Sequence, residues 1–123
     1  YNNKILIVED DTLLSELLAK KFFDEKVQVE HASDGEMAIS MISAKKYDLI
    51  LLDLLLPKVD GYAVLRSLNE STTSKGTPVI VFSNLGQKAD IEKGLALGVK
   101  KFLVKAILSL DEVIEATEEV LKK

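Results

Sequence analysis

A chain of 123 residues that is 47% hydrophobic and 29% charged has the apolar content for one core and too much of it for disorder. The absence of cysteine excludes a disulfide framework and thiol chemistry, and favours a cytoplasmic location. With a net charge of -4 and no Lys/Arg stripe, direct nucleic-acid binding is disfavoured; no apolar run approaches the roughly 20 residues of a bilayer span, so no membrane role is expected. The expectation is a single domain over residues 1–123, and a start at Tyr1 rather than Met is consistent with excision from a longer protein.

Ile5-Leu-Ile-Val8 is continuously apolar, which predicts a strand covered on both faces. Leu14, Leu17, Leu18 and Phe22 then fall on one helical face. Residues 27–31 alternate instead, as an edge strand does, and His31 at its end reads as an edge or surface residue. Ala38, Met41 and Ile42 give a shorter helical stripe, and Leu49-Ile-Leu-Leu52 a second buried strand. Asp60-Gly61 opens a helix through Ala63, Val64 and Leu68, ahead of the strand Val79-Ile-Val-Phe82. Ala89 to Leu97 predicts a helix stopped by Gly98. After Phe102-Leu-Val104, Ser109 and Glu112 form a capping box for a last helix lined by Val113, Ala116, Val120 and Leu121. Five βα units predict a three-layer α/β domain with a parallel sheet and right-handed crossovers.

Ligands of such sheets bind at the carboxyl ends of the strands. There the first strand is followed by Glu9, Asp10 and Asp11, the third by Asp53, the fourth by Ser83 and the fifth by Lys105. Each has a plain structural account taken singly: acids at a helix N-terminus, a capping hydroxyl, a solvated lysine. Asp53 resists one. It lies between Leu49–Leu52 and Leu54–Leu56, where an unpaired carboxylate is costly to bury. Two carboxylates about 4 Å apart repel by roughly 4 kcal/mol at an effective dielectric near 20. Three acids facing one lysine therefore call for a divalent cation, and all-oxygen ligands suit Mg²⁺. No Cys and one His argue against zinc.

The segments "ILIVEDD" (5–11), "DLLLPKVDG" (53–61), "PVIVFS" (78–83) and "FLVKA" (102–106) make the chain resemble a response-regulator receiver domain of two-component signalling, of the chemotaxis-regulator kind. The resemblance implies a flavodoxin-like, doubly wound (βα)5 fold with strand order 2-1-3-4-5. It implies that Asp53 is the phosphoacceptor, supplied by a histidine kinase or phosphotransfer protein. Mg²⁺ or Mn²⁺ would be held by Asp10, Asp53 and the backbone carbonyl of Leu55, with Glu9 acting through water. Lys105 would contact the phosphoryl oxygens, Ser83 would be the switch hydroxyl and Phe102 the switch aromatic. Such a domain is a signalling module that catalyses its own phosphorylation and dephosphorylation. Its fourth helix, fifth strand and fifth helix would face an effector domain, a partner protein or a second copy.

Some positions depart from that pattern. Ala106 follows Lys105 where the family usually has a cis proline; a cis bond to a non-proline costs about 2.5–4 kcal/mol, so a trans bond, or a strained cis bond held by the site, is expected. Asn84 replaces a small residue, and its amide would narrow access to Asp53 or donate to the phosphoryl group. Leu55 and Leu85 flank the expected path of attacking water and cannot orient it, which predicts slow self-dephosphorylation. Phe102 in place of the commoner Tyr keeps the bulk and loses a hydroxyl. An unphosphorylated receiver-like interaction module is the alternative, with Ala106 in its favour and the full set Asp10, Asp53, Ser83 and Lys105 against it. A metal-dependent phosphohydrolase on a similar α/β fold would want substrate-binding insertions, and 123 residues leave no space for a cap domain.

Overall fold

A computed structural model describes residues 3–122, so Tyr1 lies outside the described residues. Strand β1 (Lys4–Val8) is apolar from Ile5 to Val8 because both of its faces are covered there: Leu6 and Val8 enter one core cluster, Ile5 and Ile7 the other. The same division runs through β3 (Leu49–Leu52) and β4 (Val79–Ser83), where alternate residues supply opposite cores. The remaining strands are β2 (Gln28–Ala32) and β5 (Lys101–Val104), and the sheet order is β2-β1-β3-β4-β5, parallel throughout. The two outer strands are less buried, as expected of edges.

Helices α1 (Thr12–Asp24) and α5 (Leu110–Leu121) pack on one face through Leu18, Phe22, Val113 and Ile114. Helices α2 (Gly35–Ala44) and α3 (Gly61–Glu70) cover the other through Ala38, Ile42, Val64, Leu65 and Leu68. On that side α4 (Lys88–Ala96) is held lightly, with Gly94 its one buried residue. The expected starts and stops hold. Asp60 caps α3, accepting from the Ala63 N–H at 2.9 Å, Gly98 follows α4 at φ +95°, and Ser109 and Glu112 form the capping box of α5.

The helical stripes need two corrections. Leu17 is 44% exposed, and the buried position one turn before Leu18 belongs to Ser15, whose hydroxyl donates to the Thr12 carbonyl at 3.1 Å. In α5 the buried residues include Ile114 and Thr117, the Thr117 hydroxyl donating to the Val113 carbonyl at 2.9 Å, while Ala116, Val120 and Leu121 are half-buried. The second strand starts at Gln28, after Val27, and runs on to Ala32. No helix among the described residues is long and apolar enough to cross a membrane.

Candidate functional site

The parallel sheet brings the ends of β1, β3, β4 and β5 to one edge, and the expected polar residues meet there. Beyond β1, the Glu9 N–H donates to the Ala32 carbonyl at 3.0 Å, and its side chain turns inward to 2% exposure. Asp10 stays exposed. Asp11 is the N-cap of α1, accepting from the Leu14 N–H at 3.1 Å, so it carries out the plain structural role of an acid at a helix start. Beyond β3, the Asp53 N–H donates to the Val8 carbonyl at 3.0 Å and the residue is 5% exposed.

Asp53 is fixed at both carboxylate oxygens. Oδ1 accepts from the Leu55 N–H at 3.0 Å, and Oδ2 from the Lys105 ammonium at 2.7 Å. The same ammonium lies 2.5 Å from Glu9 Oε1, a pairing that sequence reasoning did not anticipate. Glu9 Oε2 accepts from the Asp11 N–H at 3.1 Å. Lys105 is itself tethered, its N–H donating to the Ser83 carbonyl at 2.9 Å. Burial pushes the Glu9 carboxyl above its ordinary pKa, and the Lys105 hydrogen bond opposes that shift without cancelling it. Burial alone would lower the Lys105 pKa, but the hydrogen bonds to Asp53 and Glu9 outweigh it and hold the ammonium above its usual value.

One carboxylate oxygen from each of Glu9, Asp10 and Asp53 lies within 4.8 Å of the other two. Three hard oxygen donors against one ammonium fit a divalent cation of the Mg²⁺ type. His31 does not join them, because its Nε2 is hydrogen-bonded to the Glu9 carbonyl at 2.7 Å. Sequence periodicity carries no signal for that contact.

Ser83 is fully buried, its Oγ accepting from the Leu85 N–H at 3.2 Å. Phe102 is half-buried and packs on the core beneath α4. A Cβ at Gly94 would stand 3.2 Å from its ring, a tight contact that the ring would have to give a few tenths of an ångström to admit. Asn84 is exposed, Leu55 is 52% exposed, and Leu85 packs in part against the core. There is no cis peptide bond among the described residues, so Lys105–Ala106 is trans as its cost predicts.

Residues 5–118 match the model of the response regulator receiver domain. The chain is 39% identical over 102 residues to the probable transcriptional regulatory protein SilR of Salmonella typhimurium, covering 83% of this chain and 44% of that protein. It is 33% identical over 120 residues to the transcriptional regulatory protein ResD of Bacillus subtilis strain 168, covering 98% of this chain and 48% of that one. The chain thus spans about half the length of these relatives. The non-phosphorylated HemR receiver domain of Leptospira biflexa has the same fold at a TM-score of 0.91 and 27% identity, covering 99% of this chain and 96% of that one. These similarities mark the receiver family as a whole and do not single out the chemotaxis-regulator branch.

Proposed function

The chain belongs to the response regulator receiver domains of two-component systems, and on that premise we propose that Asp53 is its phosphoacceptor. The observation that carries the reading is the Lys105 ammonium 2.7 Å from Asp53 Oδ2, beside two further carboxylates. The donor is a phosphohistidine on a histidine kinase or phosphotransfer protein. An Asp53 carboxylate oxygen attacks phosphorus, the P–N bond breaks, and the leaving imidazole nitrogen keeps the electron pair. The Leu55 N–H holds the carboxylate's rotation, and Lys105 offsets charge on the transferring oxygens. Mg²⁺ or Mn²⁺, held by Asp10, Asp53 and the Leu55 carbonyl with Glu9 through water, would supply the remaining positive charge.

The Ser83 hydroxyl has its own proton to donate to a phosphoryl oxygen, which draws the 83–86 loop inward. Phe102 follows, and the surface of α4, β5 and α5 changes toward an effector domain, a partner protein or a second copy. The domain acts on itself, accepting and then hydrolysing its own phosphoryl group, as a cytoplasmic signalling module and not as an enzyme with an outside substrate. The complete set of Asp10, Asp53, Ser83 and Lys105 at one edge disfavours an unphosphorylated interaction module.

Intact mass after incubation with Mg²⁺ and acetyl phosphate tests the reading. A gain of one phosphoryl group in wild type and none in Asp53→Asn is the expected result. An equal gain in both, or none in either while Mg²⁺ binds, would overturn it.

A further inference from the structure

Strand β1 leaves the sheet at Glu9. The last paired residues of β1 and β2 are Val8 and Ala32, and the Glu9 N–H makes one more bond, to the Ala32 carbonyl at 3.0 Å. The Glu9 carbonyl is then met by a side chain: Nε2 of the half-buried His31 stands 2.7 Å from it. A carbonyl oxygen only accepts, so Nε2 carries the proton and donates.

This bond fixes more than Glu9. The Glu9 carbonyl and the Asp10 N–H belong to one planar peptide unit, so holding the first sets the direction in which Asp10 leaves the strand. The other two acids have their own restraints. Glu9 is held by the Asp11 N–H and Lys105, and Asp53 by the Leu55 N–H and Lys105. Among the described residues, the exposed Asp10 carboxylate has no hydrogen bond or ion pair, yet it lies within 4.8 Å of both other acids. Its place in the cluster depends on the backbone that carries it.

We infer that His31 is a positioning residue for the cation site, acting through the Glu9–Asp10 peptide plane. The inference rests on the reading that Glu9, Asp10 and Asp53 hold a divalent cation. His31 does not touch the ion. It orients the acid that no other side chain restrains, across a separation of 22 residues.

The test is calorimetric titration of the metal-free chain with MgCl₂ at fixed ionic strength, on wild type, His31→Leu, His31→Gln and Asp10→Asn. His31→Leu is expected to weaken Mg²⁺ binding about fivefold, the effect of one hydrogen bond of ordinary net strength. His31→Gln, whose amide nitrogen reaches about as far as Nε2, restores affinity to within about twofold of wild type. Melting temperatures of the metal-free proteins are measured alongside. A His31→Leu variant with lowered stability and wild-type Mg²⁺ affinity overturns the inference, because His31 is then structural only. Equal weakening in Leu and Gln also overturns it, since the hydrogen bond would not be the cause. If His31→Leu does not fold, His31→Asn, polar but too short to reach, takes its place with the same expectation. Wild type failing to bind Mg²⁺, or Asp10→Asn binding as wild type does, overturns instead the cation reading beneath it.

Discussion

The ammonium of Lys105 stands 2.7 Å from Oδ2 of Asp53, although 52 residues separate the two. Since it also lies 2.5 Å from Glu9, two buried carboxylates share one cation. Removing one partner of such a group leaves uncompensated buried charge, which is strongly destabilising. Lys105→Met is predicted to lose about 2 kcal/mol in metal-free protein, less than for a sealed core because Lys105 itself keeps some solvent contact. Added Mg²⁺ should recover part of the loss. Urea denaturation in EDTA and in Mg²⁺ measures both, and a variant as stable as wild type in EDTA contradicts the shared-cation account.

A second cluster sets an acid limb of stability. Glu30 accepts from Lys45 at 2.7 Å and from the Tyr47 hydroxyl at 2.6 Å, and Lys4 lies 3.4 Å away. The Lys45 bond first, then that of Tyr47, lowers the Glu30 carboxyl to a pKa of about 2 from an ordinary 4.5. Burial, and then the neighbouring Glu30, raise the Tyr47 hydroxyl above its ordinary value, so it stays a donor. Because the folded state holds the Glu30 proton more weakly than the unfolded chain, this stabilisation is present above pH 4.5 and drains away toward pH 2. Glu30→Gln should lower stability at pH 7 and flatten the decline across that window. Parallel urea midpoints against pH for the two proteins would contradict this.

Gly61 matters by what it lacks. A Cβ there would stand 2.5 Å from the Leu54 Cα and 2.8 Å from the Asp53 carbonyl oxygen, both backbone atoms that cannot swing aside. Gly61→Ala is predicted to cost about 2 kcal/mol or more and to slow phosphorylation by moving the segment that carries Asp53. Denaturation midpoints and the phosphorylation rate are both read. A variant unchanged in the two would show that the segment yields without consequence.

Loss of the phosphoryl group should be slow, because Leu55 and Leu85 offer no group to orient water. Leu85→Glu is predicted to speed it on the order of tenfold, below the range of a fully aligned general base. The decay of phosphorylated protein, followed by mass after the donor is removed, gives the rate. Equal half-lives for wild type and variant would remove Leu85 from the path of attacking water.

The buried strands were legible because both faces of β1, β3 and β4 are covered, so Ile5–Val8, Leu49–Leu52 and Val79–Phe82 had to be apolar. The site edge was legible for a topological reason: parallel strands all end on one side, so Asp10, Asp53, Ser83 and Lys105 had to converge. Helix α1 was less so. Spacing places Leu17 beside Leu18, but the neighbours cover only part of the arc, leaving Leu17 exposed and burying the polar Ser15. Thr117 was missed for a related reason, since it satisfies its hydroxyl within its own helix and can then be buried. The bond from His31 to the Glu9 carbonyl leaves no periodic trace, because it joins a side chain to a backbone group 22 residues away.

Borohydride reduction of the phosphorylated chain shows which aspartate takes the phosphoryl group. An aspartyl phosphate is an acyl phosphate, which borohydride reduces to homoserine. After incubation with Mg²⁺ and acetyl phosphate, peptide mass spectrometry should find homoserine at position 53 and at no other aspartate. Homoserine elsewhere with Asp53 intact, or none in protein that has gained phosphate, would contradict the account.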